Sequence, residues 1–402
     1  MSERPSGRPA VILSDVPADD ESPNGFSPRL LAVLRELATR TPVELIVPAL
    51  RPGEERPSPA WHPAAVVDVR RSPIRGPLFK LWHYTLDRLP YMCEARRVGG
   101  LGQAILARQP RLVVIHLPYL AHVAALIPDD IPVVFAMEER WDRLYGTGPA
   151  GPATRWARRT EGKRVHRLYD GVSRRAAAII VISEDEAERF STVLDPALIQ
   201  VVPHGVDTDR FAPSGSRNED VDVGVFGDLT QSRNLTAALA VRRAADPPAG
   251  GAAWRWAFVG RSDAAVLSAA APGAVVSGRV DDVRPWYERT KVVLVPATQG
   301  TGVKTTLLQA WAMGRPVVVS RFATSGAAVV DGNNALVADS PEDAVRLCRR
   351  LLDDDALRER LGRHGRETVV RHHRLADVAT TFADVCLGAA DRSERERAAG
   401  SP

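Results

Sequence analysis

The chain has 402 residues, 45% hydrophobic and 25% charged, which describes a folded protein with more than one domain. The formal net charge of +4 is small for this length, so the charge gives no indication of nucleic-acid binding. The three cysteines, Cys93, Cys348 and Cys386, lie far apart, which excludes a disulfide framework or a zinc site. No apolar run reaches the roughly 18 residues of a membrane span, and the first apolar run is too short for a signal peptide. We therefore expect a cytoplasmic protein.

Strands and helices alternate through the first half of the chain. Apolar runs at residues 10–13 and 43–47 predict strands, and leucines at helical spacing predict a helix over residues 29–38 with Pro28 at its start. Further short apolar runs occupy residues 112–115, 133–135, 178–182 and 199–202. Strands that alternate with helices are typical of a parallel, doubly wound α/β sheet.

Two basic segments interrupt this pattern. Residues 70–97 hold seven arginine or lysine side chains with four aromatic residues between them. This segment could rest on an anionic membrane surface or face an anionic acceptor, and a solvated helix with a half-buried aromatic face fits equally well. Residues 155–167 have the charge pattern of an ordinary exposed helix surface.

The second half follows a polar linker at residues 213–220 and repeats the α/β alternation. It ends in a helical stretch, and the final residues, 391–402, are predicted to be frayed and disordered.

The most informative stretch is residues 299–320. A β-branched run at residues 292–295 predicts a buried strand, which is followed by a loop with Gly300 and Gly302 and by a helix that begins near Lys304. A glycine loop that leads from a strand into a helix N-terminus binds anions through backbone N–H groups and the helix dipole. Lys304 adds a full positive charge. The stretch therefore predicts a phosphate or diphosphate site, and an ordinary crossover with a tight glycine turn is the alternative.

VVPHGVDTDRFAP at residues 201–213 resembles the interdomain signature of the retaining GT-B glycosyltransferases of family 4. The predicted strand ends at residues 226–229, 258–261 and 276–280, and the donor segment at residues 300–318, follow in the family's order. The GTG-x-K loop and Pro23-Asn24-Gly25 resemble one branch of the family. The resemblance covers nearly the whole chain.

The resemblance implies a GT-B fold, in which two Rossmann-like, doubly wound parallel-sheet domains face each other across a cleft. Residues 1–208 would bind the acceptor and residues 209–374 the nucleotide-sugar donor. A helix at residues 375–390 would cross back to the first domain.

The resemblance also assigns residues to the donor site. They are Gly227, Arg233, Arg261, Arg279, Val280, Gly300, Thr301, Gly302, Val303, Lys304, Thr305 and Gln309. Four positions depart from the family pattern. Asp228 stands where an arginine is usual and would repel phosphate unless it faces away, and Arg233 replaces a lysine and can keep its contact. Thr301 and Gln309 replace two glutamates.

The implied chemistry is sugar transfer with retention and without a bound metal. Arg233 and Lys304 would stabilise the leaving diphosphate, and that phosphate can take the acceptor's proton. Acidic pairs such as Asp281-Asp282 sit at helix starts or in loops, where carboxylates cap N-termini, so we expect no metal.

Acceptor contacts are assigned to Asn24, Gly25, His116 and Glu138, with His116 as a catalytic residue where a strand ends. A histidine bonded to a local carbonyl is the alternative for His116, and a plain surface carboxylate is the alternative for Glu138.

Gln309 leads to a hypothesis about the nucleotide. A glutamate accepts hydrogen bonds from both ribose hydroxyls, whereas an amide offers one acceptor, which suits a deoxyribose. A dTDP-sugar donor is therefore favoured over UDP- and GDP-sugars. The alternative is that the replacement of glutamate by Gln309 preserves a single ribose contact and carries no information on the nucleotide.

We therefore predict a glycosyltransferase for a small-molecule or lipid-linked acceptor, in bacterial antibiotic, natural-product or cell-surface glycan biosynthesis. It would be a monomer or homodimer, cytoplasmic or peripheral to the inner membrane through residues 70–97. Another GT-B enzyme, such as a nucleotide-sugar epimerase or a phosphorylase, and a catalytically weak auxiliary subunit remain as alternatives.

Overall fold

The computed structural model describes residues 7–14, 26–49, 65–68, 90, 93, 99–116, 118–137, 151–215, 219–245, 253–299 and 303–400. The chain forms two compact units. The first comprises Met1–Val202 together with Ala379–Pro402, and the second comprises Pro203–Val378.

The first unit is built around a parallel sheet. Its strands are β1 (Ala10–Ser14), β2 (Val43–Ala49), β3 (Ala65–Asp68), β4 (Leu112–His116), β5 (Val133–Ala136), β6 (Ala176–Val181) and β7 (Ile199–Val201). In the described part of the chain the strand order is β3-β2-β1-β4-β5-β6-β7, with all neighbours parallel. The chain enters at a central strand and winds outward in both directions, so the sheet is doubly wound.

Helices cover this sheet. They are α1 (Phe26–Ala38), α2 (Gly99–Leu106), α3 (Pro152–Arg175) and α4 (Glu184–Ser191), with 3₁₀ segments at Pro118–Leu126 and Pro196–Leu198. Strands β1, β4 and β5 are buried along their whole length, which explains their continuous apolar sequences. Helix α1 begins earlier than predicted, and Pro28 still lies in the first turn, where no backbone N–H is needed.

The second unit contains another parallel sheet. Its strands are β8 (Val221–Phe226), β9 (Trp256–Val259), β10 (Val275–Gly278), β11 (Thr290–Val295), β12 (Val317–Ser320) and β13 (Leu336–Ala338), in the order β10-β9-β8-β11-β12-β13. Its helices are α5 (Ser232–Ala244), α6 (Ala264–Ala270), α7 (Arg284–Arg289), α8 (Thr305–Ala312), α9 (Pro341–Asp353) and α10 (Asp355–His372), with a 3₁₀ segment at Arg321–Thr324. The last helix, α11 (Leu375–Gly400), begins in this unit, and its part from Ala379 belongs to the first unit.

Helix α11 corrects the prediction of a disordered tail from residue 391. The helix continues to Gly400, with Ala389 and Ala390 buried in the first unit. Arg111 forms ion pairs with Asp391 at 2.7 Å and with Glu394 at 3.2 Å. These contacts stabilise the end of the helix, whose sequence consists largely of good helix formers. Its polar composition alone predicts disorder.

Two stretches of the second unit, after Pro203 and before Ala379, are joined by backbone hydrogen bonds. Val206 N–H donates to the His373 carbonyl at 2.8 Å, and Leu375 N–H donates to the Val206 carbonyl at 3.0 Å. Gly205 is required here because a Cβ would lie 2.8 Å from the Leu375 Cα. These hydrogen bonds therefore join the first and last stretches of the second unit.

His373 makes this junction sensitive to pH. Its buried ring donates from Nδ1 to the His204 carbonyl at 2.8 Å. Burial lowers the pKa of His373 below its usual 6.5, the His204 carbonyl raises it, and the charge on His372 lowers it further. As the pH falls below about 6.5, the unfolded state binds a proton that the folded state does not. The free energy of unfolding should therefore decrease on acidification, by up to about 1.4 kcal/mol per pH unit.

Urea unfolding at about pH 7.5 and about pH 5.5 measures this loss. The variant His373→Asn retains an N–H donor without the titrating ring, so its stability should decline less on acidification than that of the wild type. Equal declines in the two proteins would contradict the assignment to His373.

The basic-aromatic segment at residues 70–97 lies outside the described residues, apart from Pro90 and Cys93. Within the described part of the chain, no helix combines the length and apolar character needed to cross a membrane.

Candidate functional site

Three glycines end neighbouring strands of the second sheet at one edge. Gly227 after β8, Gly260 after β9 and Gly278 at the end of β10 have φ values of 127°, 126° and 64°. Gly227 N–H donates to the Val259 carbonyl at 2.9 Å, and Gly260 N–H donates to the Gly278 carbonyl at 3.2 Å. Positive φ and the absence of a Cβ let these backbone turns pack against each other. We call this region the strand-end edge.

Basic side chains follow the strands at this edge. Arg233 lies in the first turn of α5, Arg261 and Arg279 directly follow Gly260 and Gly278, and Lys304 precedes α8. The three arginines are exposed, and their side chains form no hydrogen bond or ion pair with other described residues. The sheet order β10-β9-β8-β11 places the four cations in a row along the strand-end edge.

Several other arginines of this unit are paired with carboxylates. Ion pairs join Arg284 to Asp282, Arg289 to Asp220 and Arg315 to Glu219, each at 2.6 to 2.7 Å. Arg233, Arg261 and Arg279 at the strand-end edge form no such ion pair among the described residues, which leaves them available to an anionic ligand.

Two helix N-termini strengthen this positive character. Helices α5 and α8 begin with Gln231 and Lys304, which make no side-chain capping bond. By contrast, Asp263, Ser340 and Asp354 cap α6, α9 and α10. Uncapped first-turn N–H groups and the helix dipole attract anions, so α5 and α8 suit a phosphate ligand.

Asp228 serves the turn before α5. Its carboxylate accepts hydrogen bonds from Thr230 N–H at 3.0 Å, from the Thr230 hydroxyl at 2.5 Å and from the Gln231 amide at 3.4 Å. Burial raises the pKa of Asp228, but these hydrogen bonds and the charge on Arg261 outweigh it, so the pKa lies below its usual value. The carboxylate of Asp228 thus accepts hydrogen bonds from donors within the loop that follows β8.

Lys304 lies beside an exposed aromatic ring. Its Nζ is 5.7 Å from the centroid of Phe322, whose side chain is 43% exposed in the segment after β12. Among the other predicted donor residues, Val303 is buried, Thr305 is the first residue of α8, and Val280 is half-buried after Arg279. Gly300, Thr301 and Gly302 lie outside the described residues.

Gln309 is held by a tyrosine that the sequence does not single out. Tyr287 of α7 is fully buried, and its ring stacks on Phe226 with centroids 3.9 Å apart. Its hydroxyl donates to Gln309 Oε1 at 3.2 Å, and burial raises the pKa of Tyr287 far above its usual value. Tyr287 therefore remains a donor, and it orients the Gln309 carbonyl oxygen toward the core.

In the first unit, His116 ends β4 and is buried. Its Nδ1 lies 3.0 Å from the hydroxyl of Ser14, which ends β1 directly opposite in register. A cavity of about 10 Å³ beside His116 is also lined by Arg29 and Phe382. The predicted acceptor residues Asn24, Gly25 and Glu138 lie outside the described residues.

The described residues contain no group of three or more His, Cys, Asp or Glu side chains arranged to hold a metal ion. Two of the acidic clusters have local roles, since Asp282 pairs with Arg284 and Asp354 accepts from Leu357 N–H at 2.9 Å.

Comparison with solved structures identifies the fold. Sucrose-phosphate synthase from Thermosynechococcus elongatus superposes with a TM-score of 0.72 at 15% identity, over 98% of this chain and 100% of that chain. HepE from Anabaena, in complex with UDP and glucose, gives 0.63 at 13% identity, over 94% and 98% of the two chains. The predicted fold class is confirmed: this is a GT-B protein.

Sequence comparison identifies the activity class. Residues 23–210 match the model "Glycosyltransferase Family 4", and residues 221–354 match "Glycosyl transferases group 1". Glycogen synthase from Mycobacterium tuberculosis H37Rv is 25% identical over 305 residues, which are 72% of this chain and 71% of that protein. The lipopolysaccharide core glycosyltransferase LpsE from Rhizobium meliloti is 33% identical over 103 residues, 24% and 30% of the two chains. Together with the fold, these matches identify a GT-B glycosyltransferase.

Proposed function

We propose that this protein transfers a sugar from a nucleoside diphosphate sugar with retention at the anomeric carbon and without a bound metal. The observation that supports this most directly is the row of Arg233, Arg261, Arg279 and Lys304 beside two helix N-termini that have no side-chain cap. A diphosphate is the ligand chemistry that such a row and such helix ends attract.

In this proposal Arg233, Lys304 and the first turn of α8 stabilise negative charge on the diphosphate as the glycosidic bond breaks. Fixed donors directed at developing charge provide the largest single catalytic effect in many enzymes. The leaving phosphate accepts the proton of the attacking hydroxyl. His116, oriented by Ser14, binds the acceptor together with Asn24, Gly25 and Glu138.

Turnover distinguishes this proposal from its alternatives. Donor incubated with and without an acceptor panel, followed by mass spectrometry and proton NMR of the anomeric centre, should give a glycoside of retained configuration only when acceptor is present. A changed sugar without acceptor would indicate an epimerase. Nucleotide binding without product would indicate an auxiliary subunit.

The relative from lipopolysaccharide biosynthesis supports a cell-surface acceptor, with antibiotic or natural-product glycosylation as the other setting.

For the nucleotide we propose a dTDP-sugar, with UDP- and GDP-sugars next. The Tyr287 hydroxyl already occupies part of the acceptor capacity of Gln309 Oε1, which leaves the amide poorly suited to a vicinal diol. The complexes of HepE with UDP and with UDP-glucose support UDP as the principal competitor.

Calorimetry with dTDP, UDP and GDP tests this choice. We expect dTDP to bind most tightly to the wild type, and Gln309→Glu to shift preference toward UDP because a carboxylate pairs with both ribose hydroxyls. If the wild type binds UDP or GDP about ten times more tightly than dTDP, a difference of about 1.4 kcal/mol, the dTDP assignment is wrong.

A further inference from the structure

Helix α3 of the first unit presents a row of exposed positive charge. Arg159, Lys163 and Arg167 recur every four residues, which places them on one face of the helix, and all three are exposed. None of these three side chains forms a hydrogen bond or ion pair with another described residue. Arg155 extends the row by one turn, and the neighbouring Trp156 is 53% exposed.

This arrangement opposes the stability of its own helix. Like charges four residues apart on a helix repel each other. The first turn of α3 has no acidic residue, and Gly151 provides no side-chain cap. Glu161 does not neutralise the row, because it is buried against Arg164 at 2.7 Å. The exposed carboxylate of the helix, Asp170, lies beyond Arg167. An external anion would remove this repulsion.

We propose that this face of α3 binds the anionic surface of a lipid bilayer. From Arg155 to Arg167 the row is about 18 Å long at 1.5 Å per residue, which is enough to span several headgroups. A single phosphate would contact only one or two of these cations. The exposed indole of Trp156 suits the membrane–water interface, where aromatic rings lie at the level of the headgroups. A soluble polyanion offers no apolar layer for that ring.

Membrane binding by α3 is separate from donor binding, because the donor residues belong to the second unit. It also differs from the hypothesis for residues 70–97, since all of its residues are described. The positive row brings the first unit to a surface where a lipid-linked acceptor would be found.

Vesicle sedimentation tests the proposal. The full chain should pellet with phosphatidylcholine vesicles that contain about 30% phosphatidylglycerol and not with phosphatidylcholine alone, and about 0.5 M salt should release it. The triple variant Arg159→Gln, Lys163→Gln and Arg167→Gln should lower the partition coefficient about 100-fold. Its Tm at low ionic strength should not fall, because the substitutions remove like-charge repulsion.

A matched control removes the same charge elsewhere. Arg350, Arg360 and Arg363 are exposed arginines on α9 and α10, and their triple change to glutamine should alter vesicle binding less than about threefold. An equal loss in the control would mean that net charge alone drives binding and would overturn the proposal. It would also be overturned if the wild type failed to pellet with the anionic vesicles, or bound polyphosphate but not vesicles.

Discussion

Replacing Gly260 with alanine should destabilise the second unit by at least about 3 kcal/mol and abolish nucleotide binding. A Cβ at this position would lie 2.2 Å from the carbonyl oxygen of Gly227, and the φ of Gly260 is +126°. The Gly227 backbone cannot move away, because its N–H bonds to Val259 and its loop leads directly into the turn at Asp228. The Tm of the unit should fall by roughly 10 °C.

Gly273 provides the control for backbone strain. Its φ is +77°, but a Cβ there would meet nothing within 4 Å. Gly273→Ala should therefore cost only about 1 to 2 kcal/mol, the penalty of the left-handed conformation alone. Thermal unfolding of both variants separates the steric clash from the strain, and nucleotide calorimetry reports on the strand-end edge. Equal losses of stability would show that close packing of Gly260 against Gly227 contributes nothing.

The elements that the sequence predicts well are those with local causes. The strands ending at Phe226, Val259 and Val295 are buried on both faces, so each reads as an apolar run followed by a loop signal. The helix after Lys304 has apolar residues at helical spacing and a glycine stop. These features place the loops of the proposed donor site in order along the chain, and parallel topology then places them at one edge of the sheet.

The details that could not be predicted depend on contacts between distant residues. Ser14 meets His116 only because β1 and β4 pair in one particular register. Tyr287 reaches Gln309 because it stacks on the end of another strand, and no periodicity in a six-residue helix indicates this. The sequence alone does not determine the role of Asp228, because an aspartate is suited both to a turn and to a ligand contact.

The final helix shows the same limit. Its last residues are polar and carry many charges, so composition predicts fraying. Arg111, about 280 residues earlier in the chain, supplies the ion pairs that meet Asp391 and Glu394. A partner this distant leaves no local signal.

Among the basic residues of the strand-end edge, replacing Lys304 should cause a large loss of activity without unfolding the protein. Lys304→Ala removes a charge-assisted contact to the diphosphate of about 1.5 to 3 kcal/mol, so kcat/KM for the donor should fall by roughly 10- to 150-fold. Thermal stability should change little. A cation at a helix N-terminus opposes the dipole, and the contact with Phe322 contributes only about 0.5 to 1 kcal/mol.

Arg321 is the matched control for this loss. It follows β12 at the same edge, next to Phe322, but its guanidinium is already paired with Asp339 at 2.5 Å. If positive charge near the edge acts only through the general field, Arg321→Ala and Lys304→Ala should lower kcat/KM alike, and added salt should abolish both effects. If Lys304 touches the diphosphate, its loss should be many times larger and should persist at about 0.5 M salt, because a contact pair is screened much less than a distant charge. Unchanged donor KM and kcat in Lys304→Ala would remove it from the site and leave Arg233 and the N-terminus of α8 to hold the leaving group.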